Sequence, residues 1–536
     1  MNARPSLPQW LSPILAAGSS WPGRELERPT SSDGYLRTSR EHARPIILTF
    51  INNLVSELQR DLGDVARVYT FHGYCHLLLR RQSDLRGALR EWFRYFPKLP
   101  RVIKADWEVT RGEEVPQFVG LMRSLGAGAA VEFYLQRGDY YQAISYDDSV
   151  FRAYQGLVTN PDAVPQYDLI LVDEYQDFNR LEVELIDLLS RRNRVVIAGD
   201  DDQALYSQLR GSDPRFIRQL RVGGDYVTLP LPFCMRCTEV IVGAVNDVIE
   251  GALAAGFLRE RIDKPYRYYP AAKQADSRVY RKIMVVQTTI QRLGAGNYFG
   301  RYVLGEISGI PRGEIDESHE SRFPTVLVIA SNPYRGQVVQ HLQLNGYTVQ
   351  TTEATEPWEL ERRDGLRILR EEGESNLGWR IILETDRPAG WEELIRRSVR
   401  EQIQLVDVAG SEFRQAVLSE AGAIGEEILP AEPSEVEAGR PSIMATSFEG
   451  AKGLSAQHVF IVGLHSGELP RDPVDIHDLE ICKFVVALTR TRKQCHILYT
   501  THFGNRARRA SVFLCWIERS RVQRVRVDRN YWGVPF

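Results

Sequence analysis

Two short apolar runs that stop abruptly at acids constrain this chain more than any other feature. Leu169 to Val172 reads Leu-Ile-Leu-Val and breaks off at Asp173 and Glu174; Val195 to Ala198 reads Val-Val-Ile-Ala and breaks off, after Gly199, at Asp200, Asp201 and Asp202. Between them Leu181 to Ser190 has helical spacing. Strand, helix, strand with uninterrupted apolar strands predicts a parallel sheet buried on both faces, since a parallel neighbour needs a crossover connection. Both acids then stand at carboxyl ends of strands, the edge where open α/β sheets bind ligands. The expected fold class is α/β.

The same alternation appears earlier. Pro45 to Thr49 reads as a buried strand, Asn53 to Leu62 as a helix, and Val65 to Tyr69 as a second strand leading into Thr70, Phe71 and His72. From about Cys75 to Ala163 aromatic residues fall at amphipathic helical positions without a strong strand, which predicts a helical insertion. Further strands are expected at Ile283 to Val286, Thr325 to Ala330, Val459 to Leu464 and Cys495 to Tyr499. Between Gln337 and Arg440 the composition is polar and charged, and Pro430 to Pro441 reads as a linker.

At 536 residues the chain is too long for one hydrophobic core. No apolar run is long enough to span a membrane and no secretory signal opens the chain, so a soluble cytoplasmic protein without a membrane partner is expected. Net charge is -3, so contact with a polyanion has to be local. Of six cysteines the close pair, Cys234 and Cys237, has no second pair or His to complete a zinc site, and all are expected to be reduced thiols.

Chemistry concentrates in a few segments. Val172-Asp-Glu-Tyr-Gln-Asp177 puts at a strand end an Asp able to hold Mg²⁺ and a Glu able to orient or deprotonate a water attacking a phosphoanhydride. Gly199-Asp-Asp-Asp-Gln-Ala-Leu-Tyr206, followed by Leu209-Arg-Gly211, sets Gln203 beside a strand-end acid, where it can sense a γ-phosphate. Together these segments resemble the Walker B and third motifs of UvrD/Rep-type superfamily 1 helicases. Thr49-Phe50 and Thr70-Phe-His72 resemble two early motifs of that family, Phe233-Cys-Met-Arg236 its fourth, Thr446-Ser-Phe-Glu-Gly-Ala-Lys-Gly-Leu454 its fifth, and Val486-Ala-Leu-Thr-Arg490 its sixth.

The resemblance implies two RecA-like parallel-sheet domains of the P-loop NTPase fold with helical insertions. The first would cover 1–222, with its insertion at about 75–163; the second 223–336 and 441–536; a small insertion and linker would fill 337–440. It implies an ATP-dependent helicase or translocase using ATP and Mg²⁺ on single-stranded DNA, with any accessory protein partner unspecified. Carried over by motif, Asp173, Glu174, Gln203, Arg236 and Arg490 would be catalytic, Asp173 also the metal ligand. Thr49, Asp200, Lys452 and Gly453 would serve the nucleotide, and Phe50, Thr70, His72, Tyr206, Arg210 and Thr446 the nucleic acid.

Departures are equally informative. Met235 stands where the family often has an adenine-stacking Tyr, Ser455 where it usually has a ribose-contacting Glu, and Gln208 or Leu209 where an aromatic stacks on a base, leaving Tyr206 as the remaining platform. A phosphate-cradling loop ending in Gly-Lys-Ser/Thr is absent before Thr49: Ala16 to Arg24 has glycines but no Lys, and Pro22 removes an amide donor. The stretch Ser19 to His42 reads as a frameshift of a normal loop. Taking the last base of each codon with the first two of the next, Ser20 to Pro29 is compatible with Val-Ala-Gly-Pro-Gly-Thr-Gly-Lys-Thr. As encoded the chain is expected to bind Mg-ATP poorly. A second reading, a non-hydrolysing nucleic-acid-binding scaffold that keeps the helicase fold, would explain the missing loop but not the five retained catalytic positions.

Overall fold

A computed structural model describes residues 44–50, 52–293, 296–352, 360–423 and 439–532. The reading of Ser19 to His42, the glycines from Ala16 to Arg24 and most of the Pro430 to Pro441 stretch lie outside the described residues. The chain divides into two compact units: Met1–Gly87, Arg152–Glu174 and Glu184–Ala198 form one, and Ala88–Phe151, Tyr175–Val183 and Gly199–Phe536 the other. No helix among the described residues is long and apolar enough to cross a membrane.

The first unit is built on a four-stranded parallel sheet of β1 (Ile46–Thr49), β2 (Arg67–Thr70), β3 (Ile170–Val172) and β4 (Val195–Ile197), in the order β2-β1-β3-β4. The central strands explain the uninterrupted apolar runs. Ile46, Ile47 and Leu48 are at most 4% exposed, and Ile170, Leu171 and Val172 are equally buried. Ile47, Val68 and Leu171 pack on Leu62 and Ala66 from the first crossover. The register Thr49↔Thr70 and the bond from the Asp173 amide to the Leu48 carbonyl (2.9 Å) bring Thr49, Thr70 and Asp173 to the same sheet edge.

The second unit holds a seven-stranded, wholly parallel sheet. Its strands are β5 (Ile283–Thr288), β6 (Val326–Ala330), β7 (Val349–Thr352), β8 (Ile443–Thr446), β9 (Ala456–Val462), β10 (Thr491–Thr500) and β11 (Val522–Val527), in the order β7-β8-β6-β9-β10-β5-β11. Alternate residues feed two cores. Leu327, Ile329, Val459, Ile461 and Ile497 join one, while Val326, Val328, Phe460, Val462 and Leu498 join the other, so both faces are covered. Two α/β bodies with parallel sheets, as the alternating pattern predicts, are consistent with the RecA-like domains of a UvrD-type helicase. Strands β7, β8 and β11 carry no apolar run long enough to announce them; β7 is Val-Gln-Thr-Thr at the sheet edge.

Two segments far apart in sequence, both in the second unit, share one helical core. Leu366, Leu369, Trp379, Ile382 and Ile395 are buried together, with Val109 and Tyr140 packed against them. At its centre Asp106, fully buried, accepts from Arg137 Nε (2.7 Å), Arg380 Nε (2.6 Å) and the Tyr141 hydroxyl (2.6 Å). Arg137 also donates to the Ser398 hydroxyl at 3.1 Å and Arg380 to Glu384 at 2.8 Å. Burial alone would raise the Asp106 carboxyl, but the two guanidiniums outweigh it and hold it below the usual range.

Candidate functional site

In the first unit, Asp173 follows β3 directly and is half-buried. Its Oδ1 accepts the Glu174 amide at 2.9 Å. Glu174 is held at φ 55°, in the left-handed region that non-glycine residues rarely occupy, which turns the chain sharply after the strand. Thr49 is fully buried at the end of β1. Thr70 caps the helix Phe71–Arg81, its hydroxyl accepting the Gly73 amide at 3.0 Å, an ordinary N-cap role for a residue singled out for nucleic-acid contact. Phe50 is half-exposed, its ring 5.6 Å from that of Phe71 and 5.8 Å from that of His72, so Phe50 and His72 form one aromatic step.

The second unit gathers Asp200, Arg490 and Lys452 around Gln203. Asp200 caps the single turn Asp201–Gln203 through the Asp202 amide (3.1 Å). The Gln203 side chain donates to Asp200 Oδ2 at 2.7 Å and accepts from Arg490 Nη2 at 3.1 Å, while its carbonyl accepts from Lys452 Nζ at 2.9 Å. One glutamine thus meets the residues proposed for three separate motifs. Arg490 is 3% exposed and also donates to the carbonyls of Val486 (3.0 Å) and Leu454 (3.2 Å) and to the Thr489 hydroxyl (2.9 Å), which fixes its fork. Lys452 forms a buried ion pair with Asp177 and lies 5.6 Å over the Tyr206 ring, whose hydroxyl donates to the Glu449 carbonyl at 3.3 Å.

Local backbone explains the glycines. Gly453 sits at φ 79°, so a side chain there is strained in any surroundings. At Gly199 a Cβ would meet Gln176 Oε1 and Ile217 Cδ1 at 2.6 Å each; the same Gln176 oxygen accepts the Asp200 amide at 2.9 Å. Thr446 is fully buried at the end of β8. Arg210 is bonded to Glu182 at 2.7 Å. Glu182, only 1% exposed, completes a capping box with Asn179, and burial lifts its carboxyl to about 7 against the pull of Arg210.

Several charged partners had no sequence signal. Asp200, Asp201 and Asp202 bring carboxylate oxygens within 4.8 Å of one another, an arrangement that could hold a metal. The Lys264 ammonium lies among them instead, at 2.8, 2.5 and 2.9 Å, with Arg218 on Asp201 (2.9 Å) and Arg261 on Asp202 (2.7 Å). Burial opposes ionisation of Asp202, yet Arg261 and Lys264 hold its carboxyl below the usual range. Three carboxylates against three cations leave this cluster no call for Mg²⁺. Asp173 is the better match: a strand-end carboxylate with one oxygen already oriented suits a hard cation. Arg236 is half-buried, and Arg492 lies near enough that its guanidinium, already disfavoured by burial, is lowered further by the Arg236 charge. Met235 is 49% exposed and Ser455 accepts from Arg492 at 3.4 Å.

Residues 123–222 match the UvrD/REP helicase N-terminal domain. The chain is 27% identical over 289 residues to the ATP-dependent DNA helicase PcrA of Staphylococcus aureus, an alignment covering 45% of this chain and 39% of the relative. It is 26% identical over 239 residues to YjcD of Bacillus subtilis, covering 42% and 31%. With PcrA of Staphylococcus epidermidis it shares 25% over 245 residues, covering 38% and 33%. These alignments therefore span about a third of the relatives' own length. The chain carries a UvrD/REP helicase N-terminal domain and is a distant homologue of the superfamily 1 DNA helicases PcrA and YjcD.

Proposed function

We propose that this chain is an ATP-dependent translocase or helicase of superfamily 1 acting on single-stranded DNA, whose hydrolysis depends on restoring the phosphate loop. The observation that carries this reading is the Gln203 junction, where a third-motif glutamine bonds a sixth-motif arginine at 3.1 Å and a fifth-motif lysine at 2.9 Å. A scaffold released from catalysis would have no reason to keep both cations on this one glutamine.

Within this reading Asp173 would hold Mg²⁺ through its carboxylate, the ion supplying charge neutralisation of the phosphates, and Glu174 orients the attacking water and takes its proton at a carboxylate oxygen. ATP, when bound, supplies the phosphoanhydride whose cleavage drives movement. Arg490 and Arg236 present positive charge to the γ-phosphoryl group, and Gln203 reports its presence by exchanging partners with Arg490. Lys452 and Gly453 shape the loop behind Gln203. Phe50, Thr70, His72, Tyr206 and Arg210 face the strand in this account, with binding that weakens steeply with salt and reads little sequence, while Thr446, fully buried, acts as a positioning residue. The pairing of Arg210 with Glu182 and of Tyr206 with Lys452 makes these two positioning residues before any contact with DNA. The test is whether single-stranded DNA stimulates ATP hydrolysis by a chain whose loop is restored to Gly-Pro-Gly-Thr-Gly-Lys-Thr, and whether Glu174→Gln removes that activity while nucleotide binding stays.

A further inference from the structure

Cys234 and Cys237 are three positions apart, on either side of Met235 and Arg236. Cys234 ends a short strand, Phe233–Cys234, paired in parallel with Arg267–Tyr268. Cys237 immediately precedes Thr238, the N-cap of the 16-residue helix Glu239–Ala254. Their environments differ sharply: Cys234 is half-buried and Cys237 fully buried. The Cys237 thiol donates to the Thr489 carbonyl at 3.5 Å, and Cys234 has the Cys237 and Tyr266 side chains as its polar neighbours. Arg236, Arg490 and Arg492 are cations whose charge reaches Cys237.

This asymmetry divides the work between a nucleophile and a resolving thiol. The polar Cys237 side chain beside it, with help from Tyr266 and against the effect of burial, holds the Cys234 thiol down at about 5, while Cys237 is pushed up by its nearness to Cys234 and by its own burial. Such a pair is not needed for packing, where two apolar residues would do as well.

We propose that Cys234 and Cys237 are a peroxide-reactive dithiol that closes to an intramolecular disulfide around Arg236. The Cys234 thiolate attacks one oxygen of hydrogen peroxide, the O–O bond breaks, and the departing hydroxide takes up the proton Cys234 had released, leaving water and a sulfenic acid. The Cys237 sulfur then attacks the Cys234 sulfur; the S–O bond breaks, the S–S bond forms, and the hydroxide leaves with the Cys237 proton as a second water. Two thiols lose two electrons and the peroxide gains them; a dithiol reductant reverses the step. Closure fixes the turn carrying Arg236 and withdraws the Cys237 hydrogen from the Thr489 carbonyl beside Arg490. The consequence for hydrolysis rests on the function proposed above; the disulfide itself does not.

The test uses the full reduced chain, hydrogen peroxide, and N-ethylmaleimide trapping followed by intact-mass and peptide measurements. The expected result is loss of two hydrogen masses with Cys234 and Cys237 protected together. Cys234→Ser should give no intramolecular disulfide, and Cys237→Ser should stop at a sulfenic acid trapped by dimedone. Iodoacetamide alkylation of the unmodified chain provides a second readout that needs no variant to fold. At pH 6 a thiol at about 5 is roughly nine-tenths thiolate, a roughly 300-fold gain over a free cysteine thiol, which weaker nucleophilicity cuts by roughly 40-fold. Cys234 should therefore react about 5- to 10-fold faster than free cysteine. Alkylation at or below the free-cysteine rate, or peroxide oxidising Cys515 while Cys234 and Cys237 stay reduced, would overturn the proposal.

Discussion

Replacing Lys452 by Met isolates the buried ion pair at the heart of the Gln203 junction. The Lys452 and Asp177 side chains are 1% and 2% exposed, so neither charge is relieved by water. Lys452→Met keeps most of the stem volume and opens little cavity, which leaves the electrostatic loss as the main effect. An exposed ion pair would cost about 0–1 kcal/mol. A buried carboxylate left without its partner costs about 3–5 kcal/mol, and loss of the ammonium over the Tyr206 ring adds about 0.5–2 kcal/mol. The expected destabilisation is therefore about 3–5 kcal/mol or slightly more, read by equilibrium urea unfolding. Combining Lys452→Met with Asp177→Asn should recover at least about 2 kcal/mol of it, because the second change removes the stranded charge. A single-variant loss under about 1 kcal/mol with no coupling would refute the reasoning and return Lys452 to the solvated surface.

Two further outcomes follow from buried charges elsewhere. Asp106→Asn strands Arg137 and Arg380 and should cost about 3–5 kcal/mol; because the Asp106 pKa is lowered on folding, its contribution holds above the ordinary aspartate range and is lost only as pH falls through the lower folded value, and a loss under about 1 kcal/mol would mean the helical core stands without it. Glu182 has the opposite sign: its folded pKa of about 7 lies above the unfolded one, so its stabilisation is full at low pH and declines as pH rises through 7. Glu182→Gln keeps the cap and stays neutral, so its stability relative to the parent should rise by about 1–3 kcal/mol between pH 5 and pH 8; a flat difference would show that Arg210 keeps Glu182 ionised throughout.

What could be read in the sequence was whatever is encoded locally. The run ending at Asp173 announces itself because a central parallel strand is apolar on both faces and ends where its ligand edge begins; Val195–Ile197 reads the same way although it lies at the sheet edge and is only half-buried. Strand β7 does not, because Val-Gln-Thr-Thr at a sheet edge needs only one apolar residue to dock. Asp200 and Gln203 were visible, but Lys264 and Arg261, which neutralise the acidic cluster, were not: charge pairing across about 60 residues leaves no spacing to detect. The same holds for Lys452 with Asp177, and for Asp106 with Arg380, where the partners are 275 and 274 residues apart. Glu174 reads in the sequence as the acid that orients the attacking water; its left-handed backbone became apparent only in three dimensions.

The central claim, a hydrolytic motor complete except for its phosphate loop, is tested most directly by steady-state ATP hydrolysis with and without single-stranded DNA, comparing the chain as encoded with one carrying Gly-Pro-Gly-Thr-Gly-Lys-Thr in the Ser20 to Pro29 stretch. The account predicts no DNA-stimulated turnover from the encoded chain, clear stimulation from the restored one, and its loss on Glu174→Gln with nucleotide still bound. A restored, folded chain that binds single-stranded DNA but hydrolyses no ATP would contradict it and leave the scaffold reading in its place.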